Sequence, residues 1–179
     1  IIRTSSGFDL IPASSGIREM AQLLFEKIQV IKKMLLEIDD YDLIILDTGA
    51  GISEVVLQFN LIAHQNIVVI NRELTSLTDA YAMVKVMYQV FSRQSFGIIA
   101  NNVCDEKEGL GIYKNIDNIS KRFLGFSLDY LGHVQQDNAV PKSILRQEIP
   151  FLTAPRSRLA DNFCTIARQV MNLPKNRKV

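Results

Sequence analysis

Cysteine is scarce: Cys104 and Cys164 stand far apart, which indicates neither a disulfide framework nor a Cys-based metal site. Two reduced thiols in a cytoplasmic protein are the plain reading. No apolar stretch is long enough to span a bilayer, and no signal peptide is visible. Net charge is nearly absent at +1, so no bulk field favours nucleic acid or membrane. Linkers, low-complexity tracts and internal repeats are missing. His64 and His133 lack a carboxylate or Cys at ligand spacing and read as structural, and no Ser/His/Asp arrangement stands out.

What is present is an ordinary globular composition, 47% apolar and 22% charged, in 179 residues, enough for one compact domain. Strand and helix signals alternate. "FDLIP" (8–12) reads as a short strand, and Ile17, Met20, Leu24, Ile28, Ile31, Leu35 and Ile38 carry helical spacing. Leu43–Leu46 is a continuous apolar run, expected as a strand buried on both faces. A helix over 53–63 and the strand "NIVVI" (66–70) follow. The next helix is expected over 76–91, with Ser76 and Asp79 at capping-box spacing. "FGIIA" (96–100) and "LDYLGHV" (128–134) read as strands, separated by a helix through Ile112, Ile116, Ile119 and Phe123. A last helix carries Leu159, Phe163, Ile166 and Val170, and "PKNRKV" reads as a solvated basic tail rather than an anchor. This alternation predicts one α/β domain over 1–179, a mostly parallel sheet with helices on both faces.

In such sheets ligands gather beyond the carboxyl ends of the strands. Polar residues collect there: Asp47-Thr48-Gly49-Ala50-Gly51, Asn71-Arg72-Glu73, Asn101-Asn102 and Gln135-Gln136-Asp137. A strand-end carboxylate suits hydrated Mg²⁺, and glycines let backbone N–H groups close on a phosphate oxygen. The plainer reading of Asp47 is a turn cap, with glycines serving its backbone angles. Asn101 offers the donor and acceptor that an adenine edge needs, or is simply a turn residue. Asp137, ahead of "NAVPKS", reads most plainly as a helix N-cap.

Together these stretches resemble the MinD/ParA family of deviant-Walker ATPases, within it the MinD-like regulators of flagellar number and placement. "YDLIILDTGAGIS" is similar to the Walker B and switch II segment, a hydrophobic strand followed by D-x-x-A-G. "NRELTSLTDAYAMVKVM" is similar to the flagellar branch's E-x-T-S-x-T-D-A-Y-A-x-x-K, and "IPASSGIREM" to its segment before the long helix. "IIANNV" and "YLGHVQQDNAVPKSILRQEIPF" match the later motifs in order and spacing. The resemblance implies an ATP- and Mg²⁺-dependent regulator that cycles between monomer and homodimer and binds a regulatory protein. By position, Asp47 would organise the water shell of Mg²⁺ at the catalytic centre, and the backbone of Gly49 and Gly51 would sense the γ-phosphate. Asn101 and Asp137 would line the adenine pocket. Glu73, Thr75 and Asp79 match the start of the helix that relatives turn toward partners. The setting implied is cytoplasmic, peripheral to the inner membrane only for the whole protein.

One departure is large. The family's phosphate loop, K-G-G-x-G-K-(S/T), has no counterpart, since the chain holds no Gly-Lys dipeptide. The chain opens at Ile1 without an initiator Met, so that loop is expected upstream, with this chain as the C-terminal portion of a MinD-like ATPase and inactive alone. Two family strands would then be missing beside 43–47, and three outcomes are expected: rearrangement, direct pairing of 43–47 with 66–70, or assembly into oligomers. Two other functions stand beside the ATPase: a non-catalytic protein-interaction module using the helix at 76–91, and a DNA-segregation relative, which the near-neutral charge disfavours. An iron–sulfur carrier would need a Cys-x-x-Cys pair, which is absent.

Overall fold

A computed structural model describes residues 1–12, 25–38 and 40–173. A small antiparallel hairpin, β1 (Ile2–Arg3) and β2 (Asp9–Leu10), precedes α1 (Phe25–Leu36). After an irregular stretch come α2 (Glu54–Ile62), β3 (Asn66–Ile70), α3 (Leu74–Phe91), β4 (Phe96–Val103) and α4 (Glu106–Phe123). The chain continues through β5 (Asp129–Gln135), α5 (Ala139–Arg146), α6 (Pro150–Thr153) and α7 (Arg158–Met171). The main sheet runs β3-β4-β5, all parallel, as the alternating pattern predicts.

Strand alternation sorts the two faces. Ile70, Phe96 and Ile98 point into the main core with Leu57 of α2, Ala80, Val84 and Met87 of α3, and Ile116 of α4. On the opposite face Val134 and Ile99 meet Leu159, Ile166 and Val170 of α7. At Gly132 (φ 141°) a Cβ would come within 2.9 Å of Ile166, so only glycine lets α7 sit this close to β5. Beside it, burial and then the Glu106 carboxylate push the Tyr130 phenol up to about 12, keeping a neutral hydroxyl 3.3 Å from His133 Nδ1.

Three expectations need correction, one of three alternatives is excluded, and a further expectation falls partly outside the described residues. Leu43–Leu46 forms no strand: residues 43–49 have no ladder partner among the described residues, and Ile45 is 79% exposed. The reason is that an extended run becomes a strand only when a neighbour takes its N–H and C=O groups, and the edge of β3 does not do so. Of the three outcomes expected for the missing strands, direct pairing of 43–47 with 66–70 therefore does not occur among the described residues. "FDLIP" contributes only Asp9–Leu10, paired antiparallel with Ile2–Arg3 outside the parallel sheet; Tyr41 Oη–H donates to Asp9 Oδ2 at 2.6 Å, tying the hairpin to the 41–46 stretch. The helix at 76 starts earlier, at Leu74 with Glu73 as N-cap, and Ser76 lies inside its first turn. The early part of the helix through Ile17, Met20 and Leu24 lies outside the described residues; its later part is α1.

α4 shows how local chemistry fixes an element. Asp105 Oδ1 accepts from Glu108 N–H at 2.8 Å as N-cap, with Glu106 and Glu108 at the positive end and Lys121 and Arg122 at the negative end. Asp117, 5% exposed, accepts from Leu128 N–H at 2.9 Å and from Lys121 Nζ at 2.6 Å, pinning the turn that feeds β5. Replacing it with Ala leaves the Leu128 N–H buried without an acceptor. The expected loss is about 1–3 kcal/mol, read as a lower urea midpoint; an unchanged midpoint would contradict this role.

Candidate functional site at the carboxyl ends of the strands

β3 and β4 run parallel and in register, Ile70 opposite Ala100, so the residues that follow them lie side by side. Asn101 Nδ2–H donates to Asn71 Oδ1 at 3.0 Å, and the Asn71 backbone N–H donates to Ser76 Oγ at 3.0 Å. Asn71 and Asn101 are both half-buried. Ser76, expected as a helix cap, thus serves as an anchor for the residue ending β3. Neither Asn71 nor Ser76 was given this task by sequence reasoning, since the contact depends on the register between β3 and β4; Asn101 lies within β4, which runs on to Val103 past the end expected at Ala100.

Beyond Asn101 the ladder to β5 slips, and Asn102 takes a left-handed conformation (φ 57°). Gln136 N–H rejoins Val103 O at 2.8 Å, which carries the chain on to Asp137. Asp137 Oδ1 accepts from Ala139 N–H at 2.7 Å, yet the N-cap of α5 is Asn138; Asp137 closes a local turn one residue ahead of the cap expected for it. Next to this region Arg72 reaches Glu108 (3.6 Å) and Cys104 Sγ (3.5 Å), bridging the ends of β3 and β4.

The Asp47–Gly51 stretch stands apart from this cluster. Asp47, Gly49 and Gly51 are exposed, and among the described residues no hydrogen bond or ion pair links them to Asn71, Asn101 or Asp137. Gly51 holds φ 94°, and nothing lies within 4 Å of a Cβ built at Gly49 or Gly51. The loop is therefore open to an approaching group, and its carboxylate and bare backbone fit a phosphate with hydrated Mg²⁺ in donor chemistry. Among the described residues no cluster of three or more His, Cys, Asp or Glu could hold a metal by itself. Glu73, Thr75 and Asp79 are exposed at the start of α3, around Leu74, which is 78% exposed. A shallow depression of about 430 Å³ lies along α4 (Glu106, Lys107, Leu110, Gly111, Lys114) and includes no candidate site residue.

No protein-family model matches the chain. It is 30% identical to the antiactivator FleN of Pseudomonas aeruginosa over 169 residues, covering 94% of the chain and 60% of FleN. It is 25% identical to the flagellum site-determining protein YlxH of Helicobacter pylori over 168 residues, 93% of the chain and 54% of YlxH. The chain thus spans little more than half the length of these relatives. Among solved structures, MinD in the Aquifex aeolicus MinC:MinD complex superposes with a TM-score of 0.67 at 22% identity, covering 85% of this chain and 62% of that one. Pyrococcus horikoshii MinD with Mg-ADP gives 0.63 at 20%, covering 82% and 56%, and a ParA family ATPase from Chlorobium tepidum gives 0.66 at 20%, covering 90% and 62%. These likenesses establish the fold.

The contrast between loop and cluster predicts different stabilities. Asp47→Ala is expected to leave the unfolding free energy within about 0.5 kcal/mol, whereas Asn101→Ala removes a half-buried hydrogen bond worth about 1 kcal/mol. Urea denaturation of both variants checks the order, and an Asp47→Ala loss as large as that of Asn101→Ala would contradict it.

Proposed function

We propose, from the premise that the chain is MinD/ParA-like in sequence and fold, that it is part of a MinD-like ATPase regulating flagellar number. The observation that carries this reading is the match to FleN across 94% of the chain, joined to a fold in which Asn71, Asn101 and Asp137 gather at one end of a parallel sheet. Nucleotide and Mg²⁺ use is supported by the Mg-ADP held by the Pyrococcus horikoshii relative and by the open Asp47–Gly51 loop.

Within that reading each residue has a task. Bound Mg²⁺ supplies charge stabilisation at the transferring phosphate. Asp47 would hold the ion through water with its exposed carboxylate, and the Gly49–Gly51 backbone N–H groups would meet the terminal phosphate. Asn101 and Asp137 would line the pocket for the base, Asp137 by closing the turn onto Ala139. The loop carries little stabilising structure of its own, so ordering it around a triphosphate would be the step by which nucleotide state reaches the partner surface at the start of α3. Glu73, Thr75 and Asp79 present a partner surface; an antiactivator relative and a MinD solved with MinC support a regulatory protein as that partner. Among the described residues no helix is long and apolar enough to cross a membrane.

A second reading, a non-catalytic docking module, is favoured by one observation: Glu73, Leu74, Thr75 and Asp79 at the start of α3 are all exposed in this chain. Calorimetric titration of Mg-ATP into this chain and into the full-length gene product separates the two. Binding only by the full-length protein is expected, with Asp47→Ala lowering Mg²⁺-dependent turnover roughly tenfold or more, the equivalent of ~1.4 kcal/mol. No binding by either would end the ATPase reading and leave the docking module.

A further inference from the structure

We propose that the outer face of α5, continued by α6, is a docking surface for an anionic lipid bilayer. The proposal goes beyond the nucleotide reading and does not depend on it. A surface helix ordinarily turns its large apolar residues inward; α5 does the reverse. Ala139, Val140 and the buried Ser143 lie on its inner side, while Ile144 and Leu145 are turned to solvent. Leu145 is 86% exposed, more than any other large apolar side chain among the described residues, and Ile144 is 69% exposed. α6 packs against both α5 and α7, with the Phe151 ring 5.2 Å from Phe163, and its Leu152 is left exposed. Charge is unevenly spread although the chain's net charge is only +1. Between 139 and 158 stand four cations, Lys142, Arg146, Arg156 and Arg158, against one carboxylate, Glu148. All four cations are exposed, and none enters an ion pair among the described residues.

A single exposed Leu is unremarkable on a protein surface. An exposed Ile-Leu pair set between Lys142 and Arg146 is a different object, apolar at its centre and cationic at its rim. At a bilayer surface Ile144 and Leu145 sink below the headgroups. The stems of Lys142 and Arg146 lie along the apolar layer while their charged ends meet anionic headgroups. The charge complementarity calls for acidic lipid, and the apolar pair calls for a hydrocarbon layer beneath it. A nucleic-acid backbone would engage the same cations and leave Ile144 and Leu145 in water. An acidic protein would need a pocket already shaped to receive the projecting pair, whereas a bilayer needs no preformed shape. One short helix gives weak attachment, so the contact is reversible.

The test is co-sedimentation of the full-length protein with vesicles of phosphatidylcholine, alone or mixed with phosphatidylglycerol. Wild type is expected to sediment with the mixed vesicles and far less with phosphatidylcholine alone. Ile144→Ser combined with Leu145→Ser is expected to weaken binding roughly tenfold or more, and Lys142→Glu combined with Arg146→Glu by roughly the same factor. All four residues are exposed, so both variants are expected to keep the wild-type urea midpoint. These 179 residues hold no Trp, so Leu145→Trp adds a local reporter. Its emission is expected to move to shorter wavelength with the mixed vesicles, a change that wild type lacks. Sedimentation of Leu145→Trp without that move would put the contact elsewhere on the protein and overturn the assignment. Wild-type binding by the Ile144/Leu145 variant would overturn it too, and competition by duplex DNA would then reassign the cations to nucleic acid. Failure of wild type to sediment with the mixed vesicles would overturn it outright, leaving Mg-ATP binding as a separate question.

Discussion

β4 is hydrogen-bonded along both edges and apolar on both faces, and the rest of the molecule is arranged by that fact. Phe96, Ile98, Ala100 and Val103 are buried, which holds α2, α3 and α4 on one side while Ile99 helps seat α7 on the other. A parallel ladder also fixes where strands end relative to one another. The same register that buries the core therefore sets Asn71 against Asn101, and chemistry at the carboxyl ends follows from it.

β3 and β5, each paired on one edge only among the described residues, show what the ladder does not supply. On the face of β3 away from the main core, Ile67 and Val69 remain exposed, and Leu43, Ile44 and Ile45 lie in a stretch without ladder partners among the described residues. The Asp47–Gly51 loop continues that stretch. Its openness suits a group that arrives from solution and contrasts with the hydrogen-bonded Asn71–Asn101 pair, held before any ligand is present. In the proposed site, one half would thus be built in advance and the other ordered by what it meets.

Much of this was legible in the sequence. "NIVVI" coincides with β3, and the α/β alternation and two-sided helix packing follow from short apolar runs between amphipathic helices. Leu43–Leu46 has the same composition as a buried strand and is not one, because periodicity reports what a segment could bury and not whether a neighbour is there to pair with it. Ser76 and Asp79 have the spacing of a capping box, yet Ser76 Oγ is drawn to Asn71 N–H and the helix begins at Leu74. Asp137 fails as a cap by one residue for a related reason: its carboxylate closes a turn onto Ala139. The Asn71–Asn101 contact lay beyond reach, since it depends on a register between strands thirty residues apart.

Hydrogen exchange of the full-length protein with and without Mg-ADP tests the placement of the site most directly. Added protection at 47–51, 71–76, 100–103 and 135–139 is expected, with the core of α3 and α4 unchanged. Nucleotide-dependent protection confined to other segments would contradict a site at the carboxyl ends of these strands.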